Sequence, residues 1–182
     1  MDSPEDTGTD VDLNDALRAQ GLGHVHGEEL QLFGQFIGSW SIALTGRGAE
    51  QDRGSLYGEV HFKWVLDGEA VQDEWVVPSD GEGRWRGDAS GFHGTTFRFY
   101  DPSFDTWRCV WIEPSKSKIR QFFGWRQDDE IILFSDDESP YVRWCYTNIT
   151  TSSFAIRRET SLDSGVTWDL EVEMQLTRIV PA

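Results

Sequence analysis

The chain has 182 residues, with 32 acidic against 16 basic side chains and a formal charge of −16. That length suits one domain with a substantial core. The charge excludes the basic footprint that non-specific nucleic-acid binding needs, and it disfavours docking on anionic membranes.

Nine Trp, eleven Phe, four Tyr and eighteen Gly favour strands and turns over helices. Lysine occurs only at Lys63, Lys116 and Lys118, a bias that host composition explains as well as function does. Cys109 and Cys145 have neither disulfide-framework nor metal-ligand spacing. Each lies in an apolar-aromatic run, so both are expected to be buried free thiols. The acidic start MDSPEDTGTD lacks the apolar core of a signal peptide, and no apolar run approaches the ~20 residues of a membrane helix. The expectation is a cytoplasmic protein.

In chain order, residues 1–26 form an acidic tail, with a short helix expected over Val11–Gln20. Residues 27–182 form the main domain. Glu28, Leu30, Leu32, Phe33 and Phe36 recur at near-helical spacing and predict a plug helix ending before Gly38. Trp40 then opens the first extended run. From there the pattern alternates with period two, and ten strands are predicted: 39–46, 56–66, 69–77, 91–100, 105–113, 117–125, 130–135, 140–147, 152–160 and 166–178. Most links are short and carry Gly, Asp, Pro or Ser, as antiparallel hairpins do. The exception is the longer loop 78–90, with Trp85, a candidate lid or rim. The acidic turns Asp128–Glu130 and Asp136–Glu138 match no calcium loop and suit solvated hairpin ends. Ten meandering strands hide their two edges most simply by closing, so the predicted fold is all-β: a single antiparallel meander barrel with a short N-terminal plug helix.

The runs VQDEWVVP (71–78), GTTFRFYDPSFDTWRCVWIEP (94–114), VRWCYTNITTSSF (142–154) and ETSLDSGVTW (159–168) carry a family resemblance. In their order and spacing the chain resembles the lipocalin-like proteins of the DUF1579 type, within the calycin group of β-barrels. The resemblance covers about residues 33–178. It implies a calycin barrel that holds a small hydrophobic or amphipathic molecule. Nitrobindin-like barrels of that group bind haem through a late histidine. Here His24, His26, His61 and His93 all precede residue 94, so haem is not expected and no cofactor is called for.

Alternation assigns faces to each strand. Val71, Asp73, Trp75 and Val77 share the more apolar face of their strand, which buries Asp73 and demands a partner for it. Thr96, Arg98 and Tyr100 share a face, as do Trp107, Cys109 and Trp111. In the last strand Trp168, Leu170, Val172, Met174 and Leu176 are expected inward. The candidate ligand-binding residues are therefore Trp64, Trp75, Trp107, Trp111, Phe123, Arg143 and Met174, with His61 inward or outward according to register. Asp73 and an arginine form either a structural ion pair or part of a site.

Two functions follow. The first is binding of a hydrophobic or planar small molecule in an aromatic-lined barrel, because no nucleophile elbow, metal cluster or phosphate loop is present. The alternative is a cofactor-free cyclase, isomerase or hydratase acting on a polyketide- or terpenoid-like intermediate. There Asp73 would be the general acid or base, Arg98 or Arg143 would hold an oxyanion, and Tyr100 would donate a proton. The partner expected is a hydrophobic small molecule, with neither nucleic acid nor membrane, and a homodimer is left open.

Overall fold

The computed structural model describes residues 27–45, 57–79 and 91–180. The expected N-terminal helix, the loop around Trp85, His24 and His26 lie outside them.

Among the described residues one α-helix, α1 (Gly27–Gly34), precedes ten strands. These are β1 (Gly38–Thr45), β2 (Tyr57–Val65), β3 (Ala70–Val77), β4 (Phe92–Asp101), β5 (Thr106–Glu113), β6 (Lys118–Gln127), β7 (Glu130–Ser135), β8 (Tyr141–Thr147), β9 (Ser153–Ser161) and β10 (Asp169–Arg178). Each strand pairs antiparallel with its neighbour in sequence, and β1 pairs with β10, from Trp40↔Arg178 to Thr45↔Glu173. The sheet is thus a closed meander barrel without a free edge.

The helix closes the end of the barrel where β1 begins. Leu30 and Phe33 turn inward from α1 and are fully buried. Phe33 meets Trp107 edge-on at 4.8 Å between ring centres, and Phe36 meets Phe154 at 4.6 Å. Burying each such ring stabilises the fold by roughly 1.5–3 kcal/mol. Trp40 packs edge-on to Phe154 at 4.7 Å and donates its indole N–H to the Phe36 carbonyl at 2.7 Å. Gly34 lets the helix seat on Trp64, since a Cβ there would stand 2.6 Å from the indole ring. Gly38 turns the chain into β1 at a φ of +122°, in a region that favours glycine.

Alternation holds along most strands and breaks in β10. The register with β9 shifts between Leu170 and Val172, a β-bulge that inserts one residue and reverses the parity before it. Val172, Met174 and Leu176 pack with the core as expected. Leu170 is partly exposed, and Trp168 packs against Phe134 in the aromatic row of Trp125, Phe134 and Tyr141. The inward placement of Trp168 and Leu170 is corrected accordingly.

Candidate functional site

The half of the barrel away from α1 encloses a cavity of about 310 Å³. Its walls are aromatic and aliphatic: Trp75 and Phe92 from β3 and β4, Trp111 from β5, Phe122 from β6, Leu133 from β7, and Val142 and Trp144 from β8. Leu44 and Val172 complete the apolar lining. Trp75 stands 5.9 Å from Phe92 and 6.5 Å from Trp144 between ring centres, so these flat faces adjoin one another. Gly94 makes room for Trp111, because a Cβ at that position would lie 2.6 Å from the indole. Thr96 and Tyr146 supply polar groups in the wall. Burial pushes the Tyr146 phenol above its ordinary pKa; Arg98 pulls the other way and does not offset it.

The mouth is charged. Glu113, Lys116, Lys118, Arg120 and Arg158 line it. Lys116 Nζ lies 2.8 Å from Glu113 Oε1 and donates to the Gly91 carbonyl at 2.7 Å. Buried Arg120 ties down the β7–β8 turn, with Nε donating to Asp137 Oδ1 at 3.1 Å and Nη2 to the carbonyls of Glu138 and Pro140 at 2.9 Å each. Arg158 pairs with Glu171, the residue at the bulge of β10. Lys118 is half-buried, and no described carboxylate is within ion-pair distance of it. Its pKa is lowered, first by burial and then by the charges of Arg158 and Arg120.

Among the residues singled out from sequence, Trp75 and Trp111 line this cavity. Asp73 and Arg98 do not; they form a fully buried ion pair on adjacent strands. Asp73 also accepts from the Thr96 N–H at 2.7 Å. The guanidinium of Arg98 lies over Phe33 at 4.8 Å and Phe62 at 5.4 Å, which places the pair under the plug. Burial opposes the charge on Arg98, but Asp73 above all, together with Tyr146 and Cys109, outweighs it and its pKa stays above the ordinary value. Trp107 packs under α1, Trp64 lies against Gly34, and Met174 is a fully buried core residue.

Three expected placements are corrected, and His61, left open above, takes one of its two registers. Phe123 is on the outer face, 40 % exposed, with Arg108 4.8 Å above its ring, because the inward parity of β6 falls on Arg120 and Phe122. Arg143 is also on the outside, with Nε donating to Glu159 Oε2 at 2.5 Å and the guanidinium 4.2 Å from the Trp168 ring, since Val142, Trp144 and Tyr146 take the inner face of β8. His61 takes its outward register: Nδ1 is 2.9 Å from Ser39 Oγ and Nε2 is 3.5 Å from Glu59. Tyr100 is at the plug end, where its hydroxyl donates to Asp105 Oδ1 at 2.5 Å. That hydrogen bond is the main cause that raises its pKa to about 12. Asp73, Arg98 and Tyr100, the set expected for acid–base work, are therefore not gathered on one wall of the cavity.

Sequence reasoning passed over the mouth. Its signal was present, since two of the three lysines in the chain stand in the turn Glu113–Lys118.

No family model matches the chain, and no curated protein matches it. Among solved structures it is similar to an S-type phycobiliprotein lyase from Guillardia theta, at 11 % identity over 84 % of this chain and 93 % of that one, with a TM-score of 0.52. The fold is lipocalin-like. It is a closed antiparallel barrel of ten strands with, among the described residues, one short α-helix ahead of the first strand. Among the described residues no helix is long and apolar enough to cross a membrane.

Proposed function

We propose that this barrel binds a hydrophobic, planar small molecule in the cavity between Trp75, Trp111 and Trp144. The observation that carries the reading is the cavity itself: about 310 Å³, walled by adjoining aromatic faces and holding a few polar groups. Small-molecule sites have that character, with volumes of about 300–1,000 Å³. Flat rings offer large apolar contact to a planar ligand. That the similar barrel belongs to a phycobiliprotein lyase supports ligand binding in general terms. The finer kinship with DUF1579-type proteins rests on the sequence motifs, and the residues we assign to the ligand wall are Trp75, Phe92, Trp111, Phe122 and Trp144.

Purified protein, examined by native mass spectrometry and then titrated with the neutral probe N-phenyl-1-naphthylamine, tests this reading. The expected result is a co-purifying mass or saturable quenching of tryptophan fluorescence, reduced by Trp111→Ala and Trp144→Ala. Protein that carries no added mass and shows no saturable quenching would overturn it.

A further inference from the structure

The chain is strongly acidic, yet the charged side chains that line its cavity are four cations and one carboxylate. An acidic surface around a cationic recess in low-dielectric walls focuses a positive potential inward. The cations differ in how they are engaged. Lys116 is neutralised by Glu113, Arg120 holds the β7–β8 turn, and Arg158 is paired with Glu171. Lys118 is left half-buried beside Arg158 and Arg120, with no described carboxylate paired to it. Burial first, and then the two guanidinium groups, disfavour its charge, and the more distant carboxylates of Glu138 and Glu113 only partly offset them. An anion at this point would relieve that repulsion and gain a charge-assisted hydrogen bond.

This inference rests on the cavity being a ligand site. We infer that the ligand is an amphipathic acid: a planar apolar body inserted between the indoles, with a carboxylate or like anion held at the mouth by Lys118 and facing Arg158. The apolar body alone would have no reason to fix its direction of entry. The cationic rim supplies one, with the acid outermost and the rings deepest.

Two probes that share a ring system separate charge from shape. N-phenyl-1-naphthylamine is neutral, and 1-anilinonaphthalene-8-sulfonate carries an anion on the same rings. The sulfonate is expected to bind about tenfold more tightly, equivalent to ~1.4 kcal/mol. That advantage should shrink as NaCl rises from about 10 mM to about 1 M and the Debye length falls from about 30 Å to about 3 Å. Lys118→Met should remove most of the preference for the sulfonate and leave the neutral probe within about twofold; Lys118→Gln serves if the methionine variant fails to fold. Lys63→Met, on the exposed outer face of β2, should change neither. Equal binding of both probes, indifferent to salt and to Lys118, overturns the acid and leaves the cavity reading intact. Binding of neither probe overturns both.

Discussion

The guanidinium of Arg178, at the end of β10, lies 4.0 Å from the centre of the Trp40 ring at the start of β1. It also donates from Nη1 to the Ile37 carbonyl at 2.7 Å, from Nη2 to that of Gln35 at 3.1 Å and from Nε to that of Thr151 at 2.7 Å. One side chain thus joins the last strand to the first, caps the carbonyls that follow α1 and covers the indole of the plug. Arg178→Ala should destabilise the fold by roughly 2–4 kcal/mol, through lost charge-assisted hydrogen bonds and ring contact. For a chain of this size that lowers Tm by about 4–16 °C. Arg178→Lys should fall between, because a compact ammonium lacks the planar fork that lies on the indole and reaches three carbonyls at once. Thermal unfolding followed by circular dichroism reads the series, and an unchanged Tm in Arg178→Ala would refute the role.

The buried pair Asp73–Arg98 makes a prediction of opposite kind for single and double variants. Asp73→Asn strands a buried guanidinium and should cost about 3–5 kcal/mol. Replacing both, as Asp73→Leu with Arg98→Met, should recover most of that loss or all of it, since neither charge is left alone in the core. Denaturant midpoints decide the matter. A folded Asp73→Asn variant with an unshifted midpoint would mean that the pair is not structural.

How far these features were legible in the sequence differs by level. The barrel was legible because alternation is a direct imprint of a two-faced strand: the observed ends of β1 to β9 fall within two residues of the predicted ones. The plug was legible because α1 pairs apolar helical spacing with Gly38 and Trp40. Parity failed at Trp168, where a bulge of one residue leaves no mark in composition. The mouth was missed for another reason. Lys118 and Arg158 occupy inward positions near strand ends, where polar residues satisfy solvent and ligand alike, so period two marks their face without marking their use. Only folding brings these two residues, forty positions apart in the chain, to one rim.

Gly94 sets the floor space of the cavity wall. A Cβ there would stand 2.5 Å from the Ile112 carbonyl oxygen and 2.6 Å from Trp111 ring atoms. Gly94→Ala should therefore push the indole into the cavity or bend β4 away from β5, at a cost of about 1–3 kcal/mol. Affinity for N-phenyl-1-naphthylamine should fall several-fold, by more than in a Gly165→Ala control, whose site is in the β9–β10 turn. A fluorescence titration of the two variants makes the comparison, and equal affinities would mean that Trp111 does not shape the site.

The thiols make the pH dependence testable. Cys109 and Cys145 are free and buried. Burial, helped by Asp73 and opposed by Arg98, pushes Cys109 from its ordinary 9.0 up to about 12. Neither thiol should react with a disulfide reagent at about pH 8 in the native state, and both should react once denaturant unfolds the chain, because only the thiolate attacks. The sign of the stability effect follows from where the proton is held. Between 9 and 12 the unfolded Cys109 has lost its proton and the folded one keeps it, so the unfolded chain binds fewer protons and rising pH favours unfolding. Tyr146, raised by the same burial, acts in the same direction at still higher pH. Stability should therefore be flat from neutral pH to about 9 as far as this thiol is concerned and fall above it. Cys109→Ala loses some stability at every pH by leaving a small void, but its decline above pH 9 should be shallower than that of the natural chain. Denaturant midpoints at a series of alkaline pH values measure the two slopes, and parallel slopes would remove Cys109 as the cause.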